Sequence, residues 1–335
     1  RERANNGQLQ LQGSVTRVDE RNENNAKTGS RENRGHIKAT GAFDIDSTWR
    51  WGFVAERSTD DTYLRRYDFS GEDTLTSNVY LEGFRGRTYA SANAYSFQGL
   101  RREDNPGETP LILPELNYNF VGEPGSWGQR WGIDANVLVL NRSGSTDSRR
   151  TSLGVNWQLP YTSANGQLYN LLASIRGDLY HVNEVADPSN ADNSINGFKG
   201  RLLPRISLDW RYPHVRRDGP ISQVIEPVVA VIAAPFGGNP EDIPNEDSQS
   251  FEFDDTNLFS ANRFSGLDRW EGGHRVNYGV RFGAYGAGGG YSNALIGQSL
   301  RWRGDNTFAD KTGLEDRRSD YVGRVNISPG EYLTY

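Results

Sequence analysis

Apolar and polar residues alternate along much of the sequence, and this period of two limits the chain to folds built from β-strands. In the segment 131–140 one face of the predicted strand is apolar and carries Trp131, Ile133, Ala135, Val137 and Val139. The segment 169–179 repeats the pattern, with charged residues in the middle of its polar face. Sandwiches of two sheets show the same alternation. The pattern alone therefore leaves a soluble sandwich and a membrane barrel open.

Strand length and number favour the barrel. We expect about 14 strands of roughly 8 to 12 residues, longer than the usual strand of about 5 to 6 residues, and such strands can cross a bilayer at a tilt. The predicted strands are 7–18, 34–45, 47–57, 74–84, 86–98, 112–121, 129–141, 150–160, 167–182, 199–212, 221–234, 274–285, 291–303 and 318–328. A mean hydropathy of −0.73 does not oppose this interpretation, because only alternate residues of a barrel strand face lipid.

The predicted connections alternate between short and long. Asp46-Ser47 and Arg85-Gly86 are tight turns, whereas Asp19–Asn33, Asp187–Asn196 and Gly237–Gly273 are predicted as long polar loops. Outer-membrane barrels have short turns on the periplasmic side and long loops outside. Aromatic residues near strand ends fit either interfacial girdles or ordinary strand propensity, and these are Trp127, Trp131, Trp157, Tyr161, Tyr212, Tyr278 and Tyr291.

Composition excludes several classes of site. The chain has 335 residues, a net charge of −6 and no cysteine, which argues against a general nucleic-acid surface and rules out disulfides and thiolate metal sites within it. Its 37 basic residues include only four lysines, at 27, 38, 199 and 311, so 33 are arginines. Either codon usage or contact with an anionic lipid explains this excess, because arginine binds phosphate bidentately.

The longest apolar run, 228–234, lies between Pro227 and Pro235. It is long enough for one strand, whereas a membrane-spanning helix needs about 20 residues. Because proline lacks the N–H that a sheet requires, we expect these two prolines to set the ends of the strand.

An acidic insert follows the apolar run, with Glu246, Asp247, Glu252, Asp254 and Asp255. The spacing does not match a calcium-binding loop, so a solvated loop is the first interpretation and a weak divalent-ion site the alternative. The four histidines are widely spaced and form no metal or catalytic motif. We predict no catalytic residue, no cofactor and no resident metal.

Three stretches carry a resemblance to a known family: GRLLPRISLDW from Gly200, QVIEPVVAVIAAP from Gln223 and NLFSANRFSGLDRWEGG from Asn257. They resemble the barrel domain of the LptD family of LPS-assembly proteins. Weaker likeness extends to 62–69 and to Ser328-Pro329-Gly330-Glu331. The family places a periplasmic jellyroll before a barrel of about 26 strands, a size within the range of outer-membrane barrels.

The resemblance implies an all-β, antiparallel transmembrane barrel of the outer-membrane type, here a partial barrel of about 14 strands. Residues 1–335 are then a single segment of the barrel domain, without the N-terminal jellyroll and the C-terminal closing strands. The implied function is insertion of lipopolysaccharide into the outer leaflet of the Gram-negative outer membrane. The implied partners are lipopolysaccharide, an LptE-type lipoprotein plug, periplasmic LPS-bridge proteins and membrane lipid, with no nucleic acid.

Two sets of residues are candidates for the site. The polar faces of two predicted strands supply the lumen-facing candidates Asn170, Arg176, Asp178, Asp209 and Arg211. The family motif supplies candidates for a plug or loop, which are Glu226, Pro227, Asn257, Leu258, Phe259, Asn262, Arg263, Gly266, Asp268 and Arg269. Two other functions remain open: another outer-membrane barrel, such as a porin or ligand-gated transporter, and a soluble extracellular carbohydrate-binding module or glycosidase.

Overall fold

The computed structural model describes residues 2–4, 6–21, 27–187, 190–248, 252–304 and 307–330. Within them lie sixteen strands and one short helix, α1 (Tyr63–Arg66). The strands are β1 (Glu2–Ala4), β2 (Gly7–Arg21), β3 (Lys27–Asp44), β4 (Trp49–Ser58), β5 (Thr74–Arg85), β6 (Thr88–Gly99), β7 (Leu111–Val121), β8 (Arg130–Asn141), β9 (Asp147–Thr162), β10 (Leu168–Asp187), β11 (Asn190–Arg211), β12 (His214–Asp218), β13 (Ile221–Ala233), β14 (Arg275–Gly286), β15 (Tyr291–Arg301) and β16 (Val322–Ser328). No helix among the described residues has the length and apolar character needed to span a membrane.

All sixteen strands belong to one sheet, in which neighbours in sequence are neighbours in space. The order runs from β1 to β11 and on through β13, β14 and β15 to β16, while β12 pairs with β13 at the side. The pairings with a defined register are antiparallel, as in β13 with β14 and β14 with β15. The predicted all-β antiparallel fold is therefore confirmed. Within the part of the chain that the structure describes, β16 and β1 do not pair.

Each of the 14 predicted strands has a counterpart, and β1 and β12 are additional. Two predicted long loops are wrong over most of their length. β2 and β3 extend through much of Asp19–Asn33, and β10 and β11 extend through most of Asp187–Asn196. The remainder of those two loops, 22–26 and 188–189, lies outside the described residues, as does Glu331 of the weaker family motif. The third predicted loop, Gly237–Gly273, contains no strand among its described residues.

Pro227 lies inside β13, where it pairs with Val280, so the prediction that it ends the strand is wrong. β11 and β12 meet β13 in the same register, since Arg211 pairs with Val228 and His214 pairs with Ile225. Between them the Tyr212 N–H donates to the Pro227 carbonyl at 3.2 Å. The two groups of one residue point to the same side of a strand, so the N–H that Pro227 lacks would have faced Tyr212. Pro227 therefore lies opposite the break between β11 and β12.

The chain divides into two compact units. The first comprises Arg1–Phe120, Asp134–Thr151 and Tyr180–Phe198, and the second Val121–Ile133, Ser152–Leu179 and Lys199–Tyr335. In the first unit α1 supplies Tyr63 and Leu64 to a small core with Leu75 and Leu100. The connection that precedes α1 is fixed by Asp60, whose carboxylate accepts from Arg34 Nε at 2.8 Å and from the Thr62 hydroxyl at 2.9 Å.

The second unit has an unusual division between its two sheet faces. Directly paired residues of antiparallel strands lie on one face, so Ile206 and Leu208 of β11 share a face with Val231 of β13 and with Val280 of β14. We call this the apolar face, and its large side chains are exposed: Leu208 by 39 %, Val231 by 46 % and Ile296 of β15 by 59 %. The opposite face carries the charged residues and is the covered one.

Candidate functional site

The covered face of the second unit carries the charged residues together with buried apolar residues such as Leu203, Val228 and Ile232, and we call it the polar face. In β11 it carries Arg201, Arg205, Ser207, Asp209 and Arg211, which alternate with the exposed apolar residues. Pairing extends the face across β13 and β14, where Glu226 is opposite Arg281, Ala230 opposite Asn277 and Ile232 opposite Arg275. Buried side chains on it include Asp178, Ser207, Arg275 and Asn277.

Each of the five lumen-facing candidates either lies on the polar face or forms a hydrogen bond or ion pair with a residue on it. Asn170 of β10 accepts a hydrogen bond from Gln158 Nε2 at 2.8 Å and donates to Asp209 at 3.4 Å. Asp178 accepts from Arg201 Nε at 2.7 Å, and Arg176 Nε lies 3.2 Å from the other Asp178 oxygen. The structure thus brings Asn170 together with Asp209 and Arg176 together with Asp178. Arg211 instead lies 3.7 Å from Glu226.

The described residues of the connection between β13 and β14, 234–248 and 252–274, fold onto the polar face, and we call them the folded loop. Its carbonyl groups accept hydrogen bonds from arginines of the strands. Arg201 Nη1 donates to the carbonyls of Gly238 at 2.9 Å and Asp268 at 2.8 Å, and Arg176 Nη2 donates to that of Leu267 at 2.8 Å. Arg205 Nη1 reaches the carbonyl of Ala261 at 2.8 Å. Because a guanidinium carries five donors in a rigid fork, these arginines hold a loop that has no strand partner of its own.

Two aspartates close the folded loop on itself. The Asp268 carboxylate accepts the backbone N–H groups of Glu246 at 2.8 Å and Asp247 at 3.2 Å. In return the Asp247 carboxylate accepts the N–H groups of Leu267 at 3.0 Å and Asp268 at 2.9 Å. Gly266 lies against this pair, since a Cβ there would be only 2.5 Å from the Asp247 carbonyl oxygen. The loop therefore has a defined fold rather than being merely solvated.

A fully buried ion cluster joins the loop to the strands. Glu271 of the loop pairs with Arg263 of the loop and with Arg275 of β14, whose Nε lies 3.2 Å away; all three side chains are inaccessible to solvent. Arg263 Nη2 also donates to Asn277 Oδ1 at 3.0 Å. Burial lowers the pKa of the Arg263 guanidinium, and the Glu271 carboxylate opposes that shift. A buried pair of this kind needs both partners, because removal of one leaves an uncompensated charge.

Aromatic and apolar residues complete the attachment. Trp270 is buried with Leu203 and Ala234, and the guanidinium carbons of Arg176 and Arg205 lie 5.4 and 4.6 Å from its ring centroid. Such contacts stabilise by about 2 kcal/mol or more when they are desolvated.

Two glycines in the strands leave space for two side chains of the family motif. Gly279 of β14 and Gly297 of β15 pair with each other. A Cβ at Gly297 would meet Leu258 Cδ2 at 2.5 Å, and a Cβ at Gly279 would meet Phe259 Cζ at 3.2 Å. The loop side chains therefore occupy space that strand side chains would otherwise fill. Leu258 further joins a core with Phe253, Phe308 and Leu314.

Three of the acidic residues of the insert are bonded within the protein. Asp254 accepts from the Thr256 N–H at 2.8 Å, Asp255 pairs with Arg324 at 3.0 Å, and Asp247 closes the loop as described. In the described ranges no group of three or more His, Asp or Glu side chains is placed to hold a metal ion. These three carboxylates therefore bind groups of the protein itself.

The family-motif candidates separate into two places. Asn257, Leu258, Phe259, Asn262, Arg263, Gly266, Asp268 and Arg269 lie in the folded loop, whereas Glu226 and Pro227 lie in β13. The assignment of Glu226 and Pro227 to a loop is therefore corrected. Asn262 Oδ1 accepts the Glu271 N–H at 2.9 Å, and the Arg269 N–H donates to Ser248 Oγ at 3.0 Å.

The sequence candidates omit several residues that hold the loop: Arg201, Arg205, Trp270, Glu271 and Arg275. The period of two could have found Arg201 and Arg205, since both share the face of Asp209 and Arg211 along β11. Glu271 and Trp270 carry no periodic signal, because they lie in a loop.

A cavity of about 430 Å³ lies beside the folded loop. Polar strand residues and Phe259 of the loop line it, among them Asn170, Asp209, Arg211 and Arg281. The polar face therefore remains accessible next to the loop.

Comparison with known proteins identifies relatives of this chain. The family model described as LptD, LPS transport system D, matches residues 32–335. The LPS-assembly protein LptD of Thiobacillus denitrificans (strain ATCC 25259 / T1) is 24 % identical over 250 residues, which are 70 % of this chain and 32 % of that protein. The proteins of the same name from Shigella dysenteriae serotype 1 (strain Sd197) and Escherichia coli (strain K12) are each 22 % identical over 249 residues, 70 % of this chain and 31 % of theirs. The chain thus spans about a third of the length of these relatives.

Proposed function

Since the chain belongs to the LPS transport system D (LptD) family, we propose that it forms part of an outer-membrane β-barrel that delivers lipopolysaccharide to the outer leaflet. In this proposal the lipid portion enters the bilayer while the sugar portion passes along the polar face. The chain acts by transport and carries out no covalent chemistry.

The observation that carries the proposal is the inverted division of the second unit. A water-soluble sheet buries its apolar face and exposes its polar one, whereas here Leu208, Val231 and Ile296 are exposed and Arg275 and Glu271 are buried. A barrel in lipid has this arrangement, with an apolar exterior and a polar interior. Solvation in lipid explains why Leu208, Val231 and Ile296 are exposed.

The proposal extends to a closed barrel. Backbone groups at an open sheet edge would be unsatisfied in hydrocarbon, where each costs several kcal/mol. β1 and β16 would therefore each need a partner strand in the membrane, and residues 1–335 would form one segment of a larger barrel domain. The family of about 26-stranded barrels provides such a setting.

We assign the folded loop to the role of an internal plug. Its attachment by Arg201, Arg205 and the Arg263–Glu271–Arg275 cluster supports a part that stays in place. The proposed partners are lipopolysaccharide, an LptE-type lipoprotein that shares the polar interior, periplasmic LPS-bridge proteins and membrane lipid. The proposed location is the outer membrane of a Gram-negative cell.

The family match favours this function over the other two interpretations of the sequence. A porin or ligand-gated transporter would share the inverted faces but would not explain the match over 32–335. A soluble carbohydrate-binding module or glycosidase would leave the exposed apolar face in water, at a free-energy cost of roughly 25 cal/mol per Å².

The proposal is tested in a Gram-negative strain depleted of its own LptD and supplied with the full-length protein that contains this chain. A photoreactive amino acid replaces Arg211 on the polar face or, as the matched control on the same strand, Leu208 on the apolar face. We expect covalent adducts with lipopolysaccharide at position 211, and adducts with membrane lipid at position 208. Failure to support lipopolysaccharide assembly, or adducts of lipopolysaccharide at 208 without any at 211, contradicts the proposal.

A further inference from the structure

Two arginines share one carboxylate at the edge of the cavity beside Phe259. Arg211 Nη1 lies 3.7 Å from Glu226 Oε1, and Arg281 Nη1 lies 3.4 Å from Glu226 Oε2. These residues come from the neighbouring strands β11, β13 and β14, and the two guanidinium side chains are 45 % and 42 % exposed. Each guanidinium has five donors, so one carboxylate at these distances leaves most of them open to a ligand.

The same cavity offers hydrogen-bond acceptors. Asp209 lines it, and an ionised carboxylate can only accept. Asn170, which donates to Asp209 at 3.4 Å, is fixed in turn by Gln158 at 2.8 Å. With Glu226 and Asp209 ionised, two positive and two negative charges meet at this cavity. Such a site suits a ligand with an anionic group and neutral hydroxyls better than a bare anion.

One aromatic ring of the folded loop completes the lining. Phe259 closes it from the folded loop, with the Arg281 guanidinium 5.4 Å from its ring centroid. Pockets of this size combine aromatic walls with a few placed polar groups, and flat apolar ring faces match the C–H faces of sugars.

We infer that this cavity binds a phosphorylated saccharide, with Arg211 and Arg281 on the phosphate and Asp209 and Asn170 on sugar hydroxyls. Arginine is suited to the first task, because its planar fork matches phosphate oxygens bidentately. The inference rests on the proposed function, in which the sugar portion of lipopolysaccharide passes along the polar face. The inference adds that a phosphorylated sugar binds in one defined cavity next to the plug.

The test measures binding to the full-length protein purified from outer membranes. The probes are the deacylated, phosphorylated oligosaccharide of lipopolysaccharide, the same oligosaccharide after phosphatase treatment, and inorganic phosphate. We expect the untreated oligosaccharide to bind most tightly, and both Arg211→Gln and Arg281→Gln to weaken it by about 10- to 100-fold.

The matched control is Arg50→Gln in the first unit. Arg50 is also half-exposed, pairs with Glu82 at 2.6 Å and lies 5.0 Å from the Phe84 ring centroid, but among the described residues it shares no carboxylate with a second arginine. Its substitution should leave binding unchanged. Equal loss in all three variants, or equal binding of the phosphatase-treated sugar, overturns the inference. Inorganic phosphate that binds as tightly as the oligosaccharide overturns the assignment to a saccharide.

A parallel growth assay separates the inference from the proposed function. The growth assay shows whether the unsubstituted full-length protein supports lipopolysaccharide assembly in the depleted strain. Its result does not depend on the binding measurement. Assembly without arginine-dependent binding contradicts only the cavity assignment. Loss of assembly by the unsubstituted protein contradicts the proposed function, and the inference falls with it.

Discussion

Asp247 and Asp268 cap each other's backbone. The Asp247 carboxylate accepts the Asp268 N–H at 2.9 Å, and the Asp268 carboxylate accepts the Asp247 N–H at 3.2 Å. The reciprocal bonds join two parts of the folded loop that are 21 residues apart. Hydrogen bonds to a charged group stabilise by about 1.5 to 3 kcal/mol each. This pair therefore converts an acidic stretch that is predicted to be solvated into a closed structure.

The first prediction concerns Gly266, which lies against that pair. Gly266→Ala should open the loop, because the new Cβ would overlap the Asp247 carboxylate and lie 2.5 Å from its carbonyl oxygen. We expect cleavage of residues 234–274 by added protease in intact cells to rise sharply. Gly288→Ala is the control, since a Cβ there meets nothing within 4 Å, and equal cleavage of the two variants contradicts the role assigned to Gly266.

The second prediction concerns the buried ion cluster. Glu271→Gln leaves Arg263 and Arg275 buried beside a neutral group, so the loop should lose about 3 to 5 kcal/mol of stability. Asp218→Asn is the comparison, because its pair with Arg216 is largely exposed and should change stability by less than about 1 kcal/mol. Hydrogen exchange of the loop amides measures the first effect, and exchange of the amides of β12 measures the second. A Glu271 variant with unchanged exchange would show that the cluster does not hold the loop.

The third prediction concerns Leu258, the residue of the family motif that packs against β15. Leu258 is fully buried above the paired glycines 279 and 297, and Leu258→Ala should cost about 2 to 5 kcal/mol by leaving a cavity. Leu202→Ala removes the same atoms from an exposed position and should cost far less. Thermal release of the loop, followed by protease sensitivity, compares the two variants. Similar release temperatures would contradict this packing.

The fourth prediction is a pH dependence in the first unit. Burial favours the neutral form of Asp60, but hydrogen bonds from Arg34 and Thr62 outweigh it and hold the pKa of the carboxyl well below its usual range. A group with a lowered folded pKa stabilises fully above its unfolded pKa, about 3.9 for aspartate, and this stabilisation is lost as pH falls toward the folded value.

The protection of the amides around α1, measured as the exchange rate of an unstructured amide divided by the observed rate at the same pH, should therefore fall as pH drops below about 5 in the unsubstituted protein. In Asp60→Asn this protection should be low at pH 7 already and should change little with pH. Asp61→Asn is the control, since no hydrogen bond of the Asp61 side chain is found among the described residues. A normal pH response in Asp60→Asn would assign the effect to another group.

The strands could be predicted because their signal is local. In a strand, successive side chains on one face are two residues apart in the sequence. The alternation around Asp209 and Arg211 therefore identifies both the strand and its polar face. β12 carries no such signal, because its five residues are all exposed. The outer part of β3 carries none either, since 27–33 are exposed on both faces.

The loop could be predicted only in part. The family motif indicates that 257–269 has a defined role, but its fold depends on contacts distant in sequence, such as Arg201 with the Leu267 carbonyl, 66 residues away. The identity of the buried partners of Glu271 likewise depends on how β14 lies beneath the loop. No period in the sequence encodes these pairings.

The fifth prediction tests the environment of the apolar face. If the face contacts lipid, Leu208→Arg places a charge in hydrocarbon and should cost about 2 to 4 kcal/mol near the bilayer midplane. If it contacts water, the same substitution at this exposed site should change stability by less than about 0.5 kcal/mol. The amount of folded full-length protein in outer membranes distinguishes the two cases, with Leu208→Ala as the control for lost side-chain volume. We expect the arginine variant to assemble poorly and the alanine variant nearly normally, because the penalty comes from desolvating the charge. Normal assembly of Leu208→Arg would contradict the contact of the apolar face with lipid, on which the proposed function rests.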